Sequence, residues 1–501
     1  MKVEIYILII LVALATVCHA ADSTAVIQRI AVNEYADSER LFCAVYENTS
    51  HRGYRYNHSL TNVGIDFLYN TQKEAVIPQE GSSYVGGDVA VSSFQLFNKG
   101  TVWGAASYTR GKIYNMQFNE TSDYMRLAPY VMADSVGGDL STQSYKISGG
   151  FNVRLPHKFD IAAEAAYRAT IEARRVDPRP KNIVSDLNVK VATSYGINDS
   201  TRIGVHVGAG IYNQSNILKF YSEKGTPNVV HLTGLGNRYV RFDGSNTSTV
   251  YNGFSTEAGA ALLSLKAGWN SSVNYRYSSY TNIISTLNNL PMSESREHAA
   301  YADLSYHFIM GSRFSSVGLQ GGYVNRAGVE NIFGDAADNI YPIIGSIRQY
   351  RMQQAFGCLA ANYGFTRGIN RFTLTYKIGY RFFTESYFHP SYLQELNHLT
   401  NNIEATYMAV LPKWIIETAV SASYNAALHS YMNIGEPTLW NQPVRQTFNQ
   451  LSHSHGDAGL SLSLTYAPKP HWALTLKAAY KAAFLHQNLT HTAGAAFGVR
   501  F

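Results

Sequence analysis

The sequence predicts an all-β chain, a transmembrane antiparallel β-barrel of about 18 strands with a short N-terminal helical plug or cap. Three observations predict it. Apolar residues recur at every second position along most of the chain. Tight turns alternate with long polar loops from the second strand onward. An export leader opens the chain, and an alternating strand ending in Phe501 closes it. The count becomes sixteen if the two weakest segments, around residues 90 and 262, drop out.

Composition agrees. Only 15% of the 501 residues are charged while 46% are hydrophobic, against about a quarter charged in ordinary soluble chains. Yet beyond residue 20 no apolar run approaches the ~20 residues of a membrane helix, so the hydrophobicity is spread thinly. Tyrosine is abundant, 36 against 23 Phe and 5 Trp. It suits strands whose rings meet lipid and whose hydroxyls reach headgroups. The net charge of +6 is scattered. Without a basic run or a zinc-ligand array, nucleic acid is not an expected partner.

At the N-terminus, Lys2 precedes an apolar run from Ile5 to Val17, and Cys18-His19-Ala20 reads as a small-x-small cleavage pattern. Residues 1–20 therefore predict a signal peptide and a mature chain from Ala21, although Glu4 departs from a basic leader. The run is short for a membrane anchor, and Val17 is a poor neighbour for a lipidated Cys18. Residues 21–59 do not alternate. Ile30 to Glu47 reads as a short helix with one apolar side, either a plug in the barrel mouth or a periplasmic cap, and a wide barrel has lumen to fill. Cys43 would sit on it and Cys358 on the polar face of a strand. Two unpaired, buried thiols are expected, with a plug-to-wall bridge as the alternative.

Residues 60–501 form the barrel. Leu460, Leu462, Leu464 and Tyr466 alternate, Pro468 and Pro470 break the run, and Trp472, Leu474, Leu476, Ala478 and Tyr480 resume it. The same unit recurs at Tyr145–Val153 with Phe159–Tyr167, at Leu187–Tyr195 with Ile203–Ile211, at Leu359–Tyr363 with Phe372–Phe382, and at Ile403–Ala409 with Trp414–Tyr424. Strand centres fall near residues 65, 90, 105, 149, 163, 190, 207, 262, 275, 303, 320, 358, 376, 405, 419, 462, 477 and 496. Turns near 99, 156, 198, 269, 310, 368, 412 and 469 are tight. The intervening loops run through 111–142, 170–182, 215–252, 283–295, 327–347, 384–400 and 427–454. Short periplasmic turns and long extracellular loops have this asymmetry, and an even strand number leaves both ends on one side. Counting back from Phe501, Val499 and Phe497 share its register, a candidate signal for the barrel assembly machinery. A soluble sandwich or propeller is the competing fold.

If the apolar register meets lipid, the other register lines the lumen. There it places Lys146, Arg154, Arg168, Lys190, Arg202, Lys266, Arg276, Arg348, Arg371, Lys377, Arg381, Lys477 and Lys481. The acids are fewer: Asp66, Asp160, Glu164, Asp303, Glu404 and Glu417. A Lys or Arg on the lipid face would cost about 2–4 kcal/mol at mid-membrane, so their confinement to one register supports the assignment. A basic lining would favour anionic solutes. The competing reading is internal pairing, with Asp160, Glu164 and Arg168 on one face.

No catalytic constellation is found. There is no Gly-x-Ser-x-Gly elbow, no Walker loop and no His-Glu-x-x-His helix, so no enzyme and no cofactor are expected. His429, His453 and His455 share one loop region, which is weak ground for a metal site and is expected to be solvated.

On the leader, the helix with Asn33-Glu34-Tyr35, the Tyr-rich strands and the Phe501 terminus, the chain resembles an uncharacterised family of Bacteroidetes-type outer-membrane β-barrel proteins over most of its mature length. The resemblance implies a channel or an accessory to nutrient uptake in the bacterial outer membrane, with lipid, the assembly machinery and a small solute as partners. It departs from TonB-dependent transporters, which carry a far larger plug and 22 strands, and it exceeds the usual length of fatty-acid channels. The functional expectation is a porin-like passage for small, anionic solutes. The alternative is a non-conducting barrel whose loops, 215–252 and 427–454 above all, bind a partner or surface ligand.

Overall fold

The computed structural model describes residues 25–39, 41–222, 228–244, 248–337 and 340–501. The expected export signal lies outside them. In chain order the strands are β1 (Leu60–Gln72), β2 (Ser83–Phe97), β3 (Gly100–Met116), β4 (Met132–Asp134), β5 (Gly138–Arg154), β6 (Phe159–Arg174) and β7 (Arg179–Gly196). They continue as β8 (Thr201–Lys219), β9 (Val229–Gly234), β10 (Asn237–Arg238), β11 (Ser248–Ser264), β12 (Gly268–Ile284), β13 (Leu290–Met310) and β14 (Arg313–Phe333). The last are β15 (Ile343–Arg367), β16 (Asn370–Tyr387), β17 (Tyr392–Val410), β18 (Trp414–Asn433), β19 (His455–Lys469), β20 (Trp472–Leu485) and β21 (Asn488–Arg500).

All except β4, β9 and β10 join one 18-stranded antiparallel sheet. It closes on itself because β1 pairs with both β2 and β21. At the seam Val63 lies opposite Val499, and Thr61 and Phe501 exchange backbone hydrogen bonds of 3.2 and 2.9 Å. Closure leaves no edge, which backbone groups in hydrocarbon require. Each of the eighteen expected centres falls in one barrel strand, the doubtful two included.

The apolar register faces out. Ile147, Val207 and Leu319 are 61%, 56% and 58% exposed, a waste of apolar area in water but not in lipid. Near the tight turns this face carries paired aromatics: Phe159 with Tyr195, Trp269 with Tyr306, Phe365 with Phe372, and Trp414 with Tyr466 at ring-centroid distances of 4.4 to 5.5 Å. An aromatic girdle at the membrane boundary has this form. Among the described residues no helix is long and apolar enough to cross a membrane.

Several expected loops are strand instead. Of 170–182, 283–295 and 384–400, only 175–178, 285–289 and 388–391 lie outside strands. Strands reach 25 residues in β15, whereas about 9–11 residues span a bilayer. The excess lies on the loop side beyond the apolar band, where polar residues occur on both faces, so alternation fades while pairing continues.

The N-terminal helix (Val26–Glu39) begins and ends earlier than Ile30 to Glu47. Val26 N–H donates to Pro470 in the β19–β20 turn. Val26, Ile27, Ile30 and Ala31 bury against Met408, Val410, Ile415, Ala467 and Ala473, all on the inward register near the tight turns. The chain then crosses the lumen. Val45 and Tyr46 meet Ala261 and Leu263 of β11, and Arg52 reaches Glu164 of β6 at 2.7 Å. Tyr54 donates to Asp160 at 2.7 Å. Neither Cys43 nor Cys358 is in a disulfide, and Cys43 is exposed rather than buried. Its neighbour Phe42 packs beside Cys358.

Arg371 fixes the far end of this helix. Its guanidinium lies 4.9 Å from the Tyr35 ring and 3.9 Å from the Phe314 ring, a cation–π arrangement worth about 2 kcal/mol when desolvated. Arg371→Ala is therefore expected to leave the barrel folded and to expose residues 25–39 to limited proteolysis. An unchanged cleavage pattern would show that the helix is held without this contact.

Candidate functional site

Inward-turned loops fill the loop-side mouth. Between β3 and β5 the chain enters the barrel, forms β4, and pairs with β9 from the β8–β11 loop. Phe118, Leu127, Val131, Ala133, Val230 and Leu232 bury against Val184, Tyr212 and Tyr251 of the wall. Charged side chains pin this insert. Arg174 bonds Glu120 and Asp134 at 2.5 and 2.7 Å with all three side chains fully buried. Arg168 grips Asp123 through two bonds of 2.9 and 2.5 Å. Tyr212 donates to the same carboxylate at 3.0 Å. Burial alone would push the Asp123 carboxyl up, but the bonds and charge of Arg168, helped by Arg126 and Tyr212, hold it below the ordinary carboxylate range.

Between this insert and the wall of β13 to β19 lies a chamber of about 590 Å3. Its wall is the inward register, read two residues at a time. In β16 and β17 three layers stack along the barrel: Glu385 opposite Gln394, Phe383 opposite Leu396, and Arg381 opposite His398. The other side comes from loops: Tyr124 and Met125, Gly234–Gly236, Trp440, and the helix Gln442–Leu451 with Val444 and Phe448. Apolar lining with a few convergent polar groups is the usual make-up of a small-molecule site.

Most of its charges are already satisfied. Arg326 bonds Glu297 at 2.6 and 2.9 Å and donates to the carbonyls of Met125 and Ala128 at 3.0 and 2.7 Å, tying wall to insert. Glu385 accepts from Tyr350 at 2.7 Å and from Gln394 at 2.5 Å. His398 Nε2 bonds the Leu451 carbonyl at 2.8 Å and His455 Nδ1 the His453 carbonyl at 3.0 Å, with the two rings 5.3 Å apart. Arg381 is exposed to the lumen and makes no ion pair among the described residues.

The basic residues expected in the lumen divide accordingly. Lys190 and Arg276 both pair with Glu257, Arg202 pairs with Asp160 and Lys481 with Asp457. Arg154 lies over the Tyr54 ring. Lys146 and Arg168 line one wall cavity with Asp88 and Asp186. Lys477 lies near Glu417 and Asp66, and Lys377 opposite Ala360, next to Cys358. Two do not line the lumen. Lys266 sits in the turn between β11 and β12 near Asp199. Arg348 is set opposite Val329, on the outer register, by a bulge at Gln349. Asp160, Glu164 and Arg168 do not pair with one another, since four residues of strand span roughly 13 Å. Each pairs with another strand or with the lumen filling.

The three loop histidines separate. His455 lines the chamber, His453 stacks on His486 at 3.8 Å, and His429 lies 3.6 Å from Glu395. No group of three or more metal-ligating side chains occurs among the described residues. Sequence reasoning missed Glu385 and His398 because they fall within 384–400, counted as loop, and missed Glu297 and Arg326 because they lie just beside the expected loops 283–295 and 327–347, where alternation fades. Extending the two-residue period past the apolar stretch would have found them.

A family model described as a family of unknown function (DUF6850) matches residues 49–501. No curated protein matches. Among solved structures, the chain is similar to the ferric enterobactin receptor PfeA of Pseudomonas aeruginosa, at 9% identity and TM-score 0.38, over 88% of this chain and 80% of that one. It is similar to BauA, the ferric preacinetobactin receptor of Acinetobacter baumannii, at 8% identity and TM-score 0.40, over 87% and 80%. The siderophore receptor PiuA of Acinetobacter baumannii gives 9% and 0.38 over 88% and 82%. At these values no ligand carries over from those receptors to this chain.

Two outcomes are expected for the insert. Arg174→Ala leaves Glu120 and Asp134 buried and uncompensated, at a cost of roughly 3–5 kcal/mol, so protease should cut within 117–137 in the variant and spare it in the parent. The stabilisation from Asp123 is present above the ordinary carboxylate pKa of about 3.9 and is lost only as pH falls through its depressed folded value. Pepsin should therefore spare 117–137 at pH 4 and begin to cut it only as the pH is lowered below that. Cleavage already at pH 4 would show that Asp123 does not hold the loop.

Proposed function

The chain belongs to DUF6850, a family of unknown function, and we propose that it is an outer-membrane uptake barrel that holds a small solute in a closed lumen. The observation that carries this reading is the chamber itself, about 590 Å3 lined by side chains converging from seven wall strands and four loops. The segment 25–58 acts as the plug on the tight-turn side, which we assign to the periplasm. The inward loops act as the lid. A solute admitted past the lid rests in the chamber and leaves when the plug shifts.

The apolar outer face with its aromatic girdle supports lipid as the surrounding medium. Export is assigned to residues 1–20. Recognition by the barrel assembly machinery is assigned to the terminal strand with Phe497, Val499 and Phe501. A transport role without catalysis fits a lumen whose charged groups are engaged in holding structure. The reading in which loops 215–252 and 427–454 bind an external partner is less well supported. Phe242 and Trp440 of these loops are buried in the lumen filling, which leaves Tyr221, Val240 and Leu439 among their exposed large side chains.

Planar-bilayer recordings test the proposal. The full chain should show no stable open steps, and deletion of 25–58 should produce discrete conducting steps. A parent protein that conducts steadily would sink the closed-lumen reading in favour of a porin.

A further inference from the structure

The chamber has a chemical polarity that the closed-lumen reading does not use. Its acids are engaged: Glu297 by Arg326, and Glu385 by Tyr350 and Gln394. Arg326 is in turn spent on Glu297 and two carbonyls. What remains is one guanidinium, Arg381, with no ionic partner among the described residues. Its direct cross-strand neighbour is His398, and the His455 ring lies against that of His398. Both imidazoles are oriented by backbone carbonyls through one nitrogen each. The next layer toward the loops is apolar, Phe383 opposite Leu396, and Phe448 of the loop helix lines the same space.

We propose that the chamber is a site for a small organic carboxylate with an apolar or aromatic body. The carboxylate meets the Arg381 fork, which matches its planar geometry with two charge-assisted bonds. The body lies along Phe383, Leu396 and Phe448. Without a ligand the Arg381 guanidinium has no ionic partner among the described residues, and a carboxylate supplies one. Lys377 lies four residues toward the plug on the same inward register, with Gly379 between them. It supplies the next cation on the way to the periplasmic end.

The inference rests on the reading of the chamber as a solute site. It is tested by titration calorimetry on the full chain folded in detergent micelles. The probes are 1-naphthylacetate and its uncharged isostere 1-naphthylacetamide. The carboxylate is expected to bind at least roughly tenfold more tightly than the amide, the ratio one charge-assisted contact supplies. Arg381→Gln should bring the carboxylate down to the level of the amide, and Arg381→Lys should fall between. Lys266→Gln, in an external turn, should change nothing. Heat-dependent gel mobility confirms that each variant is folded. Equal binding of both probes, or unchanged carboxylate binding in Arg381→Gln, overturns the carboxylate assignment and leaves the chamber as a neutral-solute site. Binding of neither probe overturns the assignment as well. Failure of the closed-lumen reading shows separately, as steady conductance in bilayers.

Discussion

Everything in this molecule depends on the seam between β1 and β21. Seventeen of the strand pairings are hairpin neighbours or nearly so, formed by adjacent stretches of chain. The β1–β21 pairing joins residues over four hundred positions apart, with Asn62 opposite Arg500 and Gln72 opposite Thr490. Until it forms, two strands carry unpaired backbone groups that lipid cannot satisfy. Once it forms, inside and outside are defined for every residue by parity alone. The apolar register can then face lipid because the polar register has an interior to face.

That interior is too wide for the wall's own side chains to fill, and the molecule fills it from both ends with chain. The filling explains the charge distribution better than a water-filled pore does. A buried ion without a partner is costly, so charged wall side chains find opposite charges in the filling: Arg174 takes Glu120 and Asp134 from the insert, and Glu164 takes Arg52 from the N-terminal segment. The lumen is basic by composition but largely neutral by contact. Where the filling leaves space, around Arg381, the compensation stops.

The barrel was legible in the sequence because parity is a strictly local signal. Leu460 to Tyr466 declares its strand without reference to any other part of the chain, and so does the lumen position of Lys377 or Arg381. Legibility ends where position depends on something distant. The bulge at Gln349 shifts Arg348 to the outer register by one inserted residue, a change no alternation pattern announces. Strand ends such as Arg326 and Glu385 lie beyond the apolar band, where both faces are polar and the period is silent. The inward course of 117–137 and 434–454 was hidden for a different reason. Their apolar residues, Phe118, Leu127 and Trp440, are spaced irregularly because they bury against side chains from several strands. Apart from Arg381 and His455, most of the chamber lining comes from these two less legible parts, which is why it emerges only in three dimensions.

The N-terminal segment enters the lumen beside Pro470 and leaves it directly into β1. One of its ends is therefore continuous with the strand that closes the barrel. It has no route out as a free body, because full withdrawal would pull on Thr61 and its bonds to Phe501. In the proposed plug role its freedom is that of a door hung at residues 53–59, with the helix Val26–Glu39 as the swinging edge and Arg371 and Arg500 as the latches. In that proposed role, motion at the edge would uncover the turn-side lumen while the seam stays shut, and the wall would stay intact through repeated opening.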